Sequence, residues 1–172
     1  AGQRDPADAS GGTLRMAMTF SAEALGAAGF VGFRSLAGLD TSTVTADGGV
    51  YLVLIEPTAQ PRFLTTSVGG RFKQKDPTVE LSVLKSKWLD DSPVVYIGKA
   101  ASLRSRLRQY RDFGRGKPIG HWGGRFIWQL ENHADLLVCW RPTVDNPRRA
   151  EEALLAAFKS QYGVLPFANL SH

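Results

Sequence analysis

Short apolar runs between turn signals set the hydrophobic pattern of this chain. Residues 50–55 are almost entirely apolar and lie between a turn signal at residues 47–49 and Pro57. An uninterrupted apolar run of this length is typical of a buried central strand. Two further runs, residues 94–97 and residues 135–141, have the same character. The pattern therefore predicts three strands.

Segments with apolar residues at helical spacing lie between and after these runs. The clearest helix begins at Asn146, which suits an N-cap, and ends at Gly163. Residues 101–112 form a basic segment whose apolar positions at i, i+4 and i+7 predict a helix that packs on a sheet. Residues 77–89 and residues 121–130 predict two shorter helices.

The remaining segments carry weaker patterns. Residues 20–39 predict a short helix followed by irregular chain that packs on the core, and residues 63–66 predict a short strand. Residues 164–172 read as an extended tail. Residues 1–17 are small and polar, which predicts a flexible tail. With no internal repeat, we expect one domain of α/β class over residues 18–172.

Composition places the chain among globular proteins and gives it a basic balance. It has 172 residues, of which 43% are hydrophobic and 22% charged, and its net charge is +5 from 21 basic and 16 acidic residues. A balance of this sign favours an anionic partner.

Cys139 is the only cysteine, which excludes an intrachain disulfide and a thiolate metal cluster, and its apolar surroundings predict a buried, inert thiol. No apolar run approaches the roughly 20 residues that a membrane helix needs. We therefore expect a cytoplasmic protein that does not bind membranes.

Cations concentrate between residues 99 and 125, where Asp112 is the lone acid. Arginine forks match phosphate oxygens, so the cluster predicts contact with a nucleic acid, although a solvated helix face is the alternative. The adjacent Gly98 favours contact, because it lets a backbone or substrate approach closely. The cluster consists of Lys99, Arg104, Arg106, Arg108, Arg111, Arg115, Lys117 and Arg125, interleaved with Tyr110, Phe113 and Trp122.

Two tyrosines and one histidine are further candidates for chemistry. Tyr51 and Tyr96 lie on neighbouring predicted strands, where a phenol packs in the core, orients water or phosphate, or loses its proton beside a cation. His121 lies among glycines and close to Arg125. It either contacts phosphate, relays a proton or has a structural role.

The final predicted helix carries two adjacent acids, and helix geometry separates them. Glu151 shares a stripe with Leu155 and Phe158, so it points toward the packed side. Glu152 falls on the flank with Lys159, where a solvated acid is expected. A carboxylate on an apolar stripe is costly unless it is paired or binds a metal, so Glu151 is the candidate for function.

At these residues the sequence resembles the GIY-YIG nuclease family. Residues 49–51, Gly-Val-Tyr, look like its first motif, and residues 96–98, Tyr-Ile-Gly, are identical to its second. Arg106 follows the second motif's tyrosine by ten residues and Tyr110 by fourteen, as in the family. Glu151, with apolar residues at +3, +4 and +7, resembles the family's metal-binding glutamate.

The resemblance implies an α/β fold with a small, mostly antiparallel, three-stranded core sheet flanked by helices. The core would cover about residues 49–169, with an N-terminal extension and an insertion at about residues 57–93 that helps choose a substrate or decorates the core. Asn169 is the nearest candidate for the asparagine that ends the family pattern, because Gly163 holds its usual position.

The resemblance also implies a metal-dependent endonuclease that hydrolyses DNA phosphodiester bonds. Glu151 would hold Mg²⁺ or Mn²⁺, and Arg106 would neutralise charge on the phosphate. Tyr51, helped by Lys99, would activate or orient the attacking water, while Tyr96 and Tyr110 would position water and phosphate. The residues expected to contact DNA are Arg104, Arg108, Arg111, His121, Arg125 and Asn169.

Two alternatives stay open from the sequence. A nucleic-acid-binding module of the same fold, without cleavage, would bind DNA in a salt-sensitive way and need no carboxylate. A chain with one active site would cut both strands as a homodimer or by sequential nicking.

Overall fold

The computed structural model describes residues 19–57 and 60–170. The tail predicted at residues 1–17 lies outside the described residues. Eight principal elements follow one another along the chain. They are α1 (Ala22–Ala27), β1 (Val31–Ser35), β2 (Gly49–Leu54), α2 (Leu81–Lys87), β3 (Val94–Ala100), α3 (Leu103–Gly114), β4 (Leu137–Pro142) and α4 (Pro147–Tyr162).

The four strands form one antiparallel sheet in the order β1-β4-β2-β3. β2 pairs with β3 on one side and with β4 on the other, and all six of its residues are buried. The central strand predicted from residues 50–55 is therefore confirmed. The class is α/β, as expected, with helices flanking the sheet.

The fourth strand, β1, corrects the expected three-stranded sheet. It lies where irregular chain was predicted, and its pairing with β4 shifts register between Gly32 and Arg34. Phe33 has a φ of +54° inside this bulge, and Gly32, at +100°, lies against the Trp140 ring. A bulge interrupts the alternation of side chains by which a strand is recognised, so the hydrophobic pattern hides β1.

The two faces of the sheet are covered by different helices. Val50, Leu52 and Leu54 pack with α1 and α4 on one face. Tyr51 and Val53 point to the other face, which packs against α3 and a 3₁₀ turn at Arg125–Gln129. That turn replaces the helix predicted at residues 121–130. The alternation along β2 thus divides the core into two layers, and the one under α3, which holds the tyrosines, is called the aromatic layer below.

Residues 60–93 pack against the core, with Leu84 fully buried in it. The fully buried Gln129 carboxamide accepts a hydrogen bond from the Val79 N–H at 2.9 Å and donates to the carbonyls of Leu64 and Val79 at 2.9 and 2.8 Å. Phe63 forms an isolated bridge with Leu130 instead of the short strand predicted at residues 63–66. The segment predicted to be an insertion thus contacts the core through these hydrogen bonds and this bridge.

The C-terminal segment closes the free edge of β3. Phe167 and Ala168 are buried, and the Ala168 N–H donates to the Val95 carbonyl at 2.8 Å. The Asn169 carboxamide donates to the Ile97 carbonyl at 2.9 Å and accepts from the Ile97 N–H at 3.0 Å. The predicted extended tail therefore occupies the position of a neighbouring strand, which protects the sheet edge.

We predict that Gln129→Leu lowers the free energy of unfolding by about 2–4 kcal/mol, because its backbone partners lose their hydrogen bonds in a buried setting. Urea denaturation of the two proteins measures this. The matched control is Gln161→Leu on the exposed side of α4, which we expect to change stability by less than about 0.5 kcal/mol. Equal stability of wild type and Gln129→Leu would contradict the role given to this carboxamide.

Candidate active site

A cleft of about 1460 Å³ lies where β3, α3 and α4 meet. Its walls bring together side chains that are more than fifty positions apart in the sequence. Four of the six residues predicted to be catalytic line it, namely Tyr96, Lys99, Arg106 and Glu151. The other two, Tyr51 and Tyr110, lie behind Tyr96 in the aromatic layer of the core.

The backbone of β3 determines which wall each side chain joins. β3 continues to Ala100, three residues past the predicted end, because residues 98–100 pair with residues 49–51. Lys99 therefore lies on the strand and points to the α4 side, whereas Tyr96 and Gly98 point to the α3 side. Ser102 then caps α3, its side chain accepting a hydrogen bond from the Ser105 N–H.

On the α4 wall, Glu151 and Lys99 form an ion pair. Glu151 Oε1 lies 3.5 Å from Lys99 Nζ, and the side chains are 15% and 47% exposed. Glu152, one residue later, is 57% exposed and pairs with Arg148 at 3.0 Å. The orientations predicted from helix geometry are thus confirmed: Glu151 points inward and Glu152 points to solvent.

Three tyrosines form a cluster behind the cleft. The ring centroids of Tyr51, Tyr96 and Tyr110 lie 5.6–6.2 Å from one another. Burial raises the pKa of Tyr51 and Tyr110 well above their usual value, and it raises the pKa of Tyr96, although the Arg106 guanidinium acts in the opposite direction. The neutral phenol is therefore the stable form of all three, and they act as hydrogen-bonding groups.

Gly98 makes room for Tyr51. The two residues are directly opposite each other in the β2–β3 ladder. A Cβ atom at position 98 would lie 2.6 Å from the Tyr51 hydroxyl oxygen and closer still to its ring. The absence of a side chain at Gly98 thus allows the Tyr51 phenol to lie across the strand that carries Tyr96 and Lys99.

His121 lies inside the protein. Its ring stacks on Tyr110 with centroids 3.8 Å apart and planes 3° apart, and Nε2 is 3.4 Å from the Tyr51 hydroxyl. Burial, with a smaller effect of Arg106, lowers the pKa of His121 to about 3. Because the residue is fully buried, it has no surface for the DNA contact that was predicted for it.

Three arginines of α3 bind backbone carbonyls of residues 37–44. Arg104 Nε donates to the Val44 carbonyl at 2.8 Å, and Arg111 Nη1 donates to the Leu39 carbonyl at 2.8 Å. Arg115 Nη2 donates to the Ala37 carbonyl at 2.9 Å. Their spacing of seven and four residues places them on one helix face. These three arginines thus hold residues 37–44 against α3.

The other predicted DNA contacts differ in exposure. Arg108 is exposed on α3. Arg125 is half-buried, stacks on the Trp122 and Phe126 rings and donates to the Trp122 carbonyl at 3.1 Å. Burial lowers the pKa of Arg125. Asn169 reaches the cleft wall, but its carboxamide is bound to β3. Arg104 and Arg108 are therefore the exposed members of the predicted set.

Sequence reasoning missed the outer wall of the cleft on α4. Arg148 and Lys159 line it together with Leu155. Positions 148, 152, 155 and 159 follow the 3–4 spacing of one helix stripe, directly beside the stripe of Glu151. That spacing is visible in the sequence. The spacing shows which residues share a face of α4. Only the position of β3 shows that this face lines the cleft, because either side of Glu151 could have faced β3.

Two further observations concern the Cys139 thiol and possible metal ligands. Cys139 is buried, and burial raises the pKa of its thiol to about 12, as its apolar setting predicted. Within residues 19–57 and 60–170, no group of three or more His, Cys, Asp or Glu side chains lies close enough together to hold a metal ion.

Comparison with known proteins gives no relative: no protein-family model, no curated protein and no solved structure matches the chain. In the part of the chain that the structure describes, no helix has the length and apolar character required to span a bilayer.

We predict that Gly98→Ala lowers the free energy of unfolding by about 1–3 kcal/mol, because the new methyl group overlaps the Tyr51 phenol. Gly26→Ala is the matched control: its Cβ meets nothing within 4 Å and lies in α1, so stability should rise by up to about 1 kcal/mol. Chemical denaturation measures both. If Gly98→Ala were as stable as wild type, the close packing at this position would be refuted.

We predict that acid destabilises the protein through His121. Its folded pKa of about 3 lies below the ordinary 6.5, so below pH 6.5 the unfolded chain takes up a proton that the native protein does not. Between pH 7 and pH 5, wild type should lose about 2 kcal/mol more stability than His121→Gln. Urea denaturation at both pH values tests this, and parallel stability changes in the two proteins would contradict it.

Proposed function

We propose that the chain is a metal-dependent endonuclease of the GIY-YIG type that hydrolyses DNA phosphodiester bonds. The observation that carries the proposal is the cleft in which Glu151, paired with Lys99, faces the same space as Arg106 and Tyr96. A carboxylate, two cations and a phenol are the side chains that positioning and polarising a phosphate diester requires. They come from three separate elements, which a solvated basic helix face would not need.

The cations of the cleft would bind the substrate backbone. Arg106 is half-buried at the cleft wall, and Arg148 and Lys159 lie on the opposite helix. A phosphate between these walls would meet guanidinium groups from both sides, which suits bidentate contact. The exposed Arg108 would add a contact to the substrate backbone outside the cleft, whereas Arg104 is bound to the Val44 carbonyl.

The carboxylate of Glu151 fits a divalent cation that the substrate helps to hold. Mg²⁺ keeps several waters and is often bound by one or two carboxylates together with substrate phosphates. Glu151 is largely buried, and its described ionic contact is the single 3.5 Å pair with the half-exposed Lys99, which can move aside. When bound, Mg²⁺ or Mn²⁺ would act as a Lewis acid toward the phosphodiester.

The phenols would contribute hydrogen bonds in the neutral form. A water oxygen would attack phosphorus while the bond to the leaving ester oxygen breaks. Tyr96 at the cleft wall would position the phosphate and the attacking water, and the fully buried Tyr51, which was expected to orient that water, would hold the Tyr96 ring from behind. Arg106 would neutralise the charge that develops on the phosphoryl oxygens. Burial keeps the phenols protonated, so the proton of the attacking water would pass to solvent.

Cleavage of supercoiled plasmid and of single-stranded, duplex and branched DNA, with and without Mg²⁺, tests the proposal. We expect Glu151→Gln and Arg106→Ala each to lower kcat/KM by about 10²–10³-fold. Glu23→Gln on α1 and Arg149→Ala on α4 are charge-matched controls at exposed positions that do not line the cleft, and we expect both to cleave at the wild-type rate.

Other outcomes would support a different reading. Undiminished cleavage by both Glu151→Gln and Arg106→Ala would refute the assignment. Salt-sensitive DNA binding that persists without metal, with no cleavage of any substrate, would instead favour a binding module of the same fold.

A further inference from the structure

A second, smaller cavity is formed by residues 60–88 and has no part in the proposed reaction. Its volume is about 520 Å³, within the range of roughly 300–1,000 Å³ that is usual for small-molecule pockets. The half-buried rings of Phe63 and Trp88 line it, and so do the exposed cations Arg62 and Lys85. We call this cavity the Trp88 pocket.

A buried ring supports the two aromatic walls of the Trp88 pocket. Trp88 contacts Phe167 and Phe63 edge-to-face, with ring centroids 5.2 and 6.1 Å apart, and Phe63 stacks on Phe167 at 5.9 Å. Phe167 is itself buried, so the two half-buried rings rest on a fixed base. The exposed parts of Phe63 and Trp88 are therefore an aromatic surface of the kind on which nucleic-acid bases stack.

The charges of the Trp88 pocket favour an anionic occupant. Among residues 19–57 and 60–170, neither Arg62 nor Lys85 forms an ion pair. Glu131, whose N–H donates to the Arg62 carbonyl at 2.8 Å, is exposed and does not line the pocket. Two cations beside two aromatic rings suit a nucleotide, which presents a flat base and a phosphate together.

The C-terminal segment connects the Trp88 pocket to the cleft. Phe167 contacts Trp88, and Asn169 and Leu170, which follow it closely, line the cleft. Two residues of extended chain span about 7 Å, so the Trp88 ring lies within roughly 15 Å of the cleft wall. Consecutive phosphates of a duplex strand are about 3.4 Å apart, so a strand held in the cleft reaches the pocket within about five nucleotides.

We propose that the Trp88 pocket binds an unpaired nucleotide of the substrate strand, with the base stacked on Trp88 and the phosphate held by Arg62 and Lys85. The inference rests on the proposed function only for its effect on cleavage. A base inside a continuous duplex is paired and stacked, so it enters such a pocket only at the cost of unpairing. The preferred substrate is therefore DNA with a single-stranded flank beside the cut, such as an overhang or a branch.

Binding of single-stranded DNA in EDTA tests the pocket separately from cleavage. The probe is a fluorescein-labelled oligothymidylate of about 12 nucleotides, and its matched control is a strand of the same length without bases. Trp88→Leu keeps an apolar side chain against Phe167 but removes the aromatic surface. We expect it to raise the Kd of the oligothymidylate about 10-fold and to leave the Kd of the baseless strand unchanged, as measured by fluorescence anisotropy.

Lys85→Ala tests the contribution of charge. We expect it to raise the Kd of both strands about 3-fold and to lower the slope of log Kd against log salt concentration by about 0.7, the loss of one phosphate contact. Lys87→Ala is the matched control, because Lys87 is exposed on the same helix and does not line the pocket. Its Kd and salt dependence should equal those of wild type.

Three binding results would overturn the inference. The first is an oligothymidylate that wild type binds no more tightly than the baseless strand, which would leave the pocket to a peptide or a second copy of the chain. The second is a folded Trp88→Leu variant that binds like wild type or loses affinity equally for both strands. The third is a Lys85→Ala variant that equals Lys87→Ala, and this comparison decides even if Trp88→Leu does not fold.

Cleavage rates test the predicted substrate. We expect a single-stranded flank to raise kcat/KM about 10-fold over continuous duplex, and Trp88→Leu to lose this preference while it cuts continuous duplex at the wild-type rate. A preference that Trp88→Leu retains, or the lack of one in wild type, would overturn the inference. If wild type cleaves no DNA, the proposed function fails, and the binding measurements in EDTA still decide whether the pocket holds a nucleotide.

Discussion

The close approach of Tyr51 to Gly98 is the contact on which the rest of the site depends. Because position 98 has no side chain, the Tyr51 phenol lies across β3 and fills the space behind Tyr96. The same ladder sets the alternation of β3, which sends Lys99 to the opposite face, where it meets Glu151. The lack of a Cβ atom at Gly98 thus makes room for the aromatic layer on one side of the strand. The alternation of β3 places the ion pair on the other side.

Stability does not explain the ion pair at the cleft. A half-exposed lysine and a glutamate at 3.5 Å contribute about 0–1 kcal/mol, and an aliphatic pair at the same contact could contribute more. The α3 arginines show the contrast: Arg104, Arg111 and Arg115 bind carbonyls and hold residues 37–44. Arg106, on the same helix, faces the cleft instead. The basic segment therefore combines two roles that composition cannot separate.

Local patterns predicted the parts of the fold that local forces decide. The buried strand β2, the capped helix α4 with Asn146 and Gly163, and the inward direction of Glu151 follow from residue spacing alone. The bulged strand β1 did not, since its register depends on how Gly32 meets Trp140. His121 looked available for phosphate because it lies among glycines and close to Arg125, but stacking on Tyr110, which is set by tertiary packing, places it in the core.

Charged side chains line the cleft, and buried neutral side chains lie behind them. Lys99, Arg106, Arg148 and Glu151 line the cleft, where water and salt screen the exposed Arg148 and the half-exposed Lys99, and Lys99 pairs with the largely buried Glu151. Behind them, Tyr51, Tyr110 and His121 are buried, and the direction of each pKa favours the uncharged form. Hydrogen bonds between neutral groups hold geometry at a lower desolvation cost than ion pairs do. The neutral groups behind the cleft therefore fix the position of the Tyr96 ring at its wall without adding a buried charge.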